Sequence, residues 1–239
     1  MGDVLTLRLL GRFGLYDDDG AIVVPAGSER LLALLALDGR TIGRARLAGQ
    51  LWPHTTGRRA QACLRSALRR LPARARAAVS VEIAAVALSE TVDVDLRAGR
   101  DLAHRLISPA GPVAETDLRP ASLTVLTTEF LPDWYEDWMV TAAEAWRQLR
   151  MHGLEALAGH LVAAERYSEA IEAALAAVSA DPMRESARAT LIRAHLAEGN
   201  RSEAMREFDR YSRLLSAELG LEPTAALHRL LGLSVVRSA

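Results

Sequence analysis

Seven arginines and no acid lie within GRRAQACLRSALRRLPARARA, the 21 residues from Gly57 to Ala77. A guanidinium is a planar fork of donors that stays charged. It fits guanine O6 and N7 on the major-groove edge of a duplex, or clamps a phosphate. Spacing sorts these residues by task. Ala60, Leu64, Ala67, Leu68 and Leu71 recur at helical intervals and predict a buried stripe, whereas Gln61, Arg65 and Arg69 fall four apart on another flank beside Arg58. Arg65 is the candidate for a base edge, and Gln61 next to it carries the donor and acceptor that pair with adenine. Arg58, Arg59, Arg69 and Arg70, near the two ends of the helix, are candidates for phosphate. Thr55 and Thr56 either cap that helix or donate to backbone oxygens. Arg44 and Arg46 are further phosphate candidates on a preceding short helix. Arg74 and Arg76, past Pro72, suit phosphate and plain surface equally. The bland alternative for the whole cluster is a solvated face in a chain whose basic residues are all arginine.

The elements that must hold this helix read as follows. Val4 to Leu10 and Phe13 to Tyr16 alternate like strands, the turn residues DDDG follow, and Ile22 to Val24 is β-branched. Ser28 reads as an N-cap for a helix whose apolar face is Leu31, Leu32 and Leu35, stopped by Gly39. Arg44 to Trp52 fits a second helix ended by Pro53, and the arginine helix is the third. Val79 to Ile83 and Val86 to Leu88 then fit a hairpin. Strands, three helices and a hairpin are the order of a winged helix-turn-helix, whose third helix enters the roughly 12 Å wide major groove.

Composition excludes several other chemistries. All 29 basic residues are arginine, so neither a lysine-dependent phosphate loop nor a lysine Schiff base is available. The single Cys63 reads as a small buried residue. The six histidines, His54, His104, His152, His160, His195 and His228, do not share zinc spacing with it, so no metal site is expected. Asp133, Glu136 and Asp137 lack a nucleophile and an oxyanion loop and read as structural. No cofactor motif and no enzyme are expected. The longest apolar run, Leu31 to Leu37, is too short for a membrane span, no secretory signal is visible, and a reducing cytoplasm is the default. Charge is divided along the chain. Residues 1 to 80 hold 13 arginines and 6 acids, leaving 16 arginines and 24 acids downstream. A basic front on an acidic back suggests a nucleic-acid-facing domain joined to something else.

Ser108 to Ala121 carries three prolines and reads as a loop; the domain boundary is placed near residue 92 because the helix from about Asp95 suits the helical half. That half repeats at 34 residues, the tetratricopeptide period: RYSEA at Arg166 to Ala170 falls on NRSEA at Asn200 to Ala204, and Leu157 on Leu191. The register makes Leu154, Leu157, Ala158, Leu161, Ala170, Ala174 and Ala177 interlocking residues of one unit, and Leu191, Ile192, His195, Ala204, Phe208 and Tyr211 those of the next. Upstream, Trp134, Trp138 and Leu149 suggest a helix covering the end of the stack.

The run from LPDWYEDW at Leu131 through EPTAAL at Leu227, with LGRFGLYDDDG, LAGQLWP and CLRSALRRL before it, resembles the actinobacterial antibiotic-regulatory (SARP) family, in which a winged helix precedes a bacterial transcriptional activator domain. The resemblance covers most of the chain. It implies an activator that binds repeated duplex sequences near a promoter as a side-by-side homodimer and touches RNA polymerase. The hairpin VSVEIAAVALSETV departs from the family in lacking glycine or aromatic residues at its tip and in carrying Glu82 and Glu90. The chain closes soon after the LGLEPTAALHRLLG segment, so the nucleotide-binding and sensor domains of larger relatives are not expected.

The expected fold is mainly α with an α+β N-terminal part: a winged helix-turn-helix at 1–92 and an all-α, tetratricopeptide-like activator domain at 93–239. The expected function is transcription activation through the third helix in the major groove. The alternative is a helical-repeat adaptor whose winged domain no longer reads DNA.

Overall fold

The computed structural model describes residues 5–108 and 113–232. In chain order these form β1 (Leu5–Arg8), β2 (Gly14–Asp17), β3 (Gly20–Ile22), α1 (Ala26–Asp38), β4 (Ile42–Gly43), α2 (Arg44–Leu51) and α3 (Gly57–Arg69). Then come β5 (Val79–Val81), β6 (Ala85–Leu88), β7 (Val92–Val94), α4 (Asp95–Ile107), α5 (Pro120–Thr127) and α6 (Val140–Ala163). The last four are α7 (Tyr167–Ala180), α8 (Glu185–Ala197), α9 (Arg201–Leu219) and α10 (Ala225–Leu230). The described residues up to Ala98, together with Glu129–Trp146, make one compact unit; the remaining described residues make the other.

In the first unit, alternation along Leu5, Leu7 and Leu9 buries one face and leaves Arg8 outside. Arg8 lies over the Tyr16 ring, 4.4 Å from its centroid. β1 pairs antiparallel with β2, and β2 with β3 across a turn in which Asp17 accepts the Asp19 N–H at 3.0 Å and Gly20 takes a φ of 116°. Val4, the first residue of the expected strand, lies outside the described residues. Two partners of this sheet come from far along the chain. β7 joins the free edge of β1 in parallel, and Asp95 at the start of α4 accepts the N–H groups of Leu9 and Leu10 at 2.8 and 3.1 Å. Glu129 to Leu131 also returns here: its Glu129 carbonyl accepts Gly11 N–H, and Leu131 N–H donates to Leu9.

That return alters the expectation for the tryptophans. Trp134 is not on a helix; it stacks on Phe13 with ring centroids 5.8 Å apart. Trp138 sits in a 3-10 turn, Asp137–Met139, and only Trp146 and Leu149 lie on α6. Aromatic area on Phe13, 121 positions upstream, wins over local helical spacing.

α1, α2 and α3 follow, with α1 packing on α3 and on β6, and α2 packing on α3. Gly39 ends α1 in the left-handed region at φ 65°, its N–H on the Leu35 carbonyl. Ser28 is not the cap of α1. Pro25 holds that position, so Ser28 falls inside the helix on the apolar face. After a 3-10 turn (Ala73–Ala78), β5 and β6 form the hairpin, and β4 adds to β6 through Ile42 opposite Val86. This is a winged helix, with a three-stranded sheet at the wing and a four-stranded sheet at the front.

In the second unit the 34-residue period is written into the backbone. Glu165 and Gly199 both take positive φ, 58° and 88°, and Arg166 and Asn200 share a nearly identical turn at φ −90°, ψ 63° and φ −91°, ψ 66°. α7 and α9 each start one residue later. The first repeat's expected interlocking residues are all buried; in the second repeat His195 is half-buried and the others buried. α10 closes the open end, placing Leu227 and Leu231 against Ile192, Phe208, Tyr211 and Leu215. The Glu185 carboxylate accepts both the N–H and the hydroxyl of Thr224 before it. Within the stack Arg188 and Glu207 form a buried ion pair at 2.9 Å. The segment expected as a loop, Ser108 to Ala121, includes residues 109–112 outside the described residues; beyond them it forms a 3-10 turn, Glu115–Leu118, and begins α5 at Pro120.

Candidate nucleic-acid interface

α3 has 13 residues, about 20 Å of helix, and it carries two faces. Ala60, Leu64 and Ala67 are buried with Leu71 just beyond, and Leu68 is half-buried. Arg58, Arg59, Gln61, Arg65, Arg69 and Arg70 are all exposed. Gln61, Arg65 and Arg69 stand about 6 Å apart along one line. Among the described residues none of these five guanidiniums makes a hydrogen bond or ion pair. Elsewhere the chain spends its arginines differently: Arg30, Arg105, Arg166, Arg184 and Arg188 each meet a carboxylate. Charge on α3 is thus concentrated, uncompensated and outward.

The neighbouring candidates divide. Arg44 is half-buried with its Nε enclosed and unbonded, and its backbone N–H donates to Ala84 at the wing tip, 3.0 Å away. Arg46 is 70% exposed and only 3.9 Å from Asp38, a surface pair of small worth that phosphate can displace. Neither threonine caps α3 with its side chain. Thr56 occupies the cap position without a side-chain bond, while the Thr55 hydroxyl donates to the Trp52 carbonyl at 3.1 Å. Past Pro72, Arg74 is tied to Asp17 and Asp19, and Arg76 reaches the Leu71 carbonyl. Burial raises the Asp17 carboxyl, but the Arg74 hydrogen bond and the Asp19 N–H outweigh it and hold the group below its ordinary value. These two arginines are thus engaged within the fold, Arg74 with the β2–β3 turn and Arg76 with the end of the α3 segment.

The wing itself is not basic. Its tip, Glu82 to Ala84, is fully outward with Ile83 100% exposed, and Val79 to Leu88 carries no arginine. Cys63 is half-buried and borders a cavity of about 180 Å³ that it shares with Pro25, Ser28, Trp52 and Ala67. No cluster of metal-ligating side chains occurs among the described residues, and no described helix is long and apolar enough to cross a membrane.

Two positioning groups were missed at the level of sequence. The Ser28 hydroxyl donates to the Ala67 carbonyl of α3 at 2.8 Å. Arg30, two residues on, donates to the Leu51 carbonyl at the end of α2 and to Glu136, both at 2.6 Å. The available signal was that Ser28 shares a helix face with Leu31, Leu32 and Leu35.

Residues 120–232 match the family model of the bacterial transcriptional activator domain. A solved structure, Mycobacterium tuberculosis EmbR in complex with low affinity phosphopeptide, has a TM-score of 0.77 to this chain at 22% identity. The match covers 96% of this chain and 64% of that one, so the chain spans about two thirds of that protein's solved length. At that identity the likeness establishes the fold. No curated protein matches the chain.

Proposed function

We propose that this chain, a winged helix followed by a segment that matches the bacterial transcriptional activator domain, is a transcription activator of the antibiotic-regulatory type that lays α3 in the major groove of promoter DNA and contacts RNA polymerase. Residues 1–92 hold the DNA-binding function and residues 93–239 the activator function, although β7, the start of α4 and Glu129–Trp146 pack within the first unit. The observation that carries this reading is the outward flank of α3, where five guanidiniums lie without a carboxylate partner among the described residues. A helix about 10–12 Å wide fits the groove, and an unpaired guanidinium meets a base edge or phosphate without first breaking an ion pair. Arg65 and Gln61 face the bases. Arg58, Arg59, Arg69 and Arg70 take phosphates toward both strands, with Arg44, Arg46, Thr55 and Thr56 at the start of the motif adding backbone contacts. Repeated sites bind two copies side by side, and a cytoplasmic location follows from a DNA target.

A footprint over the gene's own chromosomal neighbourhood tests the reading; absence of binding to any duplex at low salt ends it. The acidic, apolar wing tip favours one competitor, an adaptor that works through its helical repeats alone. Replacing Arg65 and Arg69 by alanine separates the two. Under the proposal DNA binding is lost while capture of protein partners by the repeats survives; under the adaptor reading neither changes.

A further inference from the structure

We infer that Ser28 is a positioning residue for DNA reading: its hydroxyl fixes the rotation of α3, and hence the bases that Arg65 and Gln61 meet. The inference rests on the proposal that α3 enters the major groove. A helix leaves its last four carbonyls without an internal partner. On α3 these include Ala67, because the Leu71 N–H goes to Leu68 and the Arg70 N–H to Ser66. The Ala67 carbonyl is on the buried side, where an unpaired acceptor is costly. Ser28, 1% exposed, supplies the missing donor from 39 residues upstream. α1 and α3 lie close here: a Cβ on neighbouring Gly27 would be in ordinary van der Waals contact with that of Ala67, 4.0 Å away. The other buried residues of α3, Ala60 and Leu64, are apolar. Apolar contacts tolerate a few degrees of rolling, whereas a 2.8 Å hydrogen bond from the buried Ser28 hydroxyl to the α3 backbone does not. Arg65 lies two residues before Ala67, so a roll of the helix swings its guanidinium across the groove floor.

The cavity next to Ser28 supplies the test, because it has room for one extra methyl group. Ser28→Thr keeps the hydroxyl, and Ser28→Val has the same shape without it. The probe is the duplex that the wild-type protein enriches from a randomised library, set against a scrambled duplex of equal length. We expect S28V to reduce the ratio of the two affinities by about ten-fold, the worth of one misaligned base contact, with the salt dependence of binding unchanged. S28T keeps the ratio within about two-fold of wild type. Should S28V fail to fold, S28A, which removes only the oxygen, takes its place. An equal ratio in S28V (or S28A) and S28T overturns the assignment to Ser28 alone, whatever their melting temperatures. A wild-type protein that enriches no sequence overturns both this inference and the groove reading beneath it.

Discussion

Removing Arg69 and Arg70 together probes the electrostatics of the basic helix most sharply. Both are exposed, at the C-terminal end of α3, and neither is paired among the described residues. If Arg58, Arg59, Arg69, Arg70, Arg44 and Arg46 each neutralise one phosphate, the logarithm of affinity falls with the logarithm of salt with a slope of about −5.4 per copy. Between 50 and 200 mM salt that slope is a loss of about 1,800-fold. In R69A/R70A the slope drops to about −3.6 and the same change in salt costs only about 150-fold. The fold survives the change, because the substitutions touch no partner and forfeit only about 0.3–1 kcal/mol each of favourable interaction with the helix dipole. Fluorescence anisotropy of a labelled duplex across a salt series measures both slopes, and thermal melting by circular dichroism confirms folding. A folded double variant that retains the wild-type slope refutes the assignment of these residues to phosphate.

The helical unit carries three further predictions. Glu207→Ala strands the Arg188 charge in the stack and lowers stability by about 3–5 kcal/mol, whereas the paired change Arg188→Met with Glu207→Leu recovers most of it; denaturant titrations measure both. Glu165 adopts the left-handed conformation that glycine holds at the equivalent Gly199, so Glu165→Gly raises stability by about 0.5–1 kcal/mol, seen as a higher melting temperature. The Arg105 hydrogen bond holds the Asp117 carboxyl below its ordinary value of 3.8. Its stabilising contribution is therefore full above that pH and lost as pH falls through the depressed folded value. Melting curves of Asp117→Asn lose this part of the acid sensitivity that the wild type shows.

Local chemistry made much of the fold legible. Gly39 and Pro53 mark real helix ends, the alternation of Leu5, Leu7 and Leu9 marks a real strand, and the match of RYSEA to NRSEA foretold a shared backbone turn. The two-faced character of α3 was equally plain, since 3.6-residue periodicity separates Leu64 and Ala67 from Arg65 and Arg69. What escaped depends on groups distant in sequence. The pairing of β7 with β1 and the stacking of Trp134 on Phe13 have no local signature. Ser28 was misread for the same reason. A serine near a helix start is ordinarily a cap, but its hydroxyl here is consumed by an orphan carbonyl on another helix. The reach of Arg74 to Asp17 likewise depends on where the wing folds back, which spacing alone does not specify.

Methylation interference addresses the central claim at the level of single atoms. Methyl groups on guanine N7 project into the major groove, where Arg65 is proposed to donate. With Arg65 on a guanine edge, N7 methylation at one or more guanines of the bound duplex blocks wild-type binding, and one such position becomes indifferent in Arg65→Ala. Interference confined to minor-groove adenine N3, or a pattern identical in the two proteins, contradicts that placement.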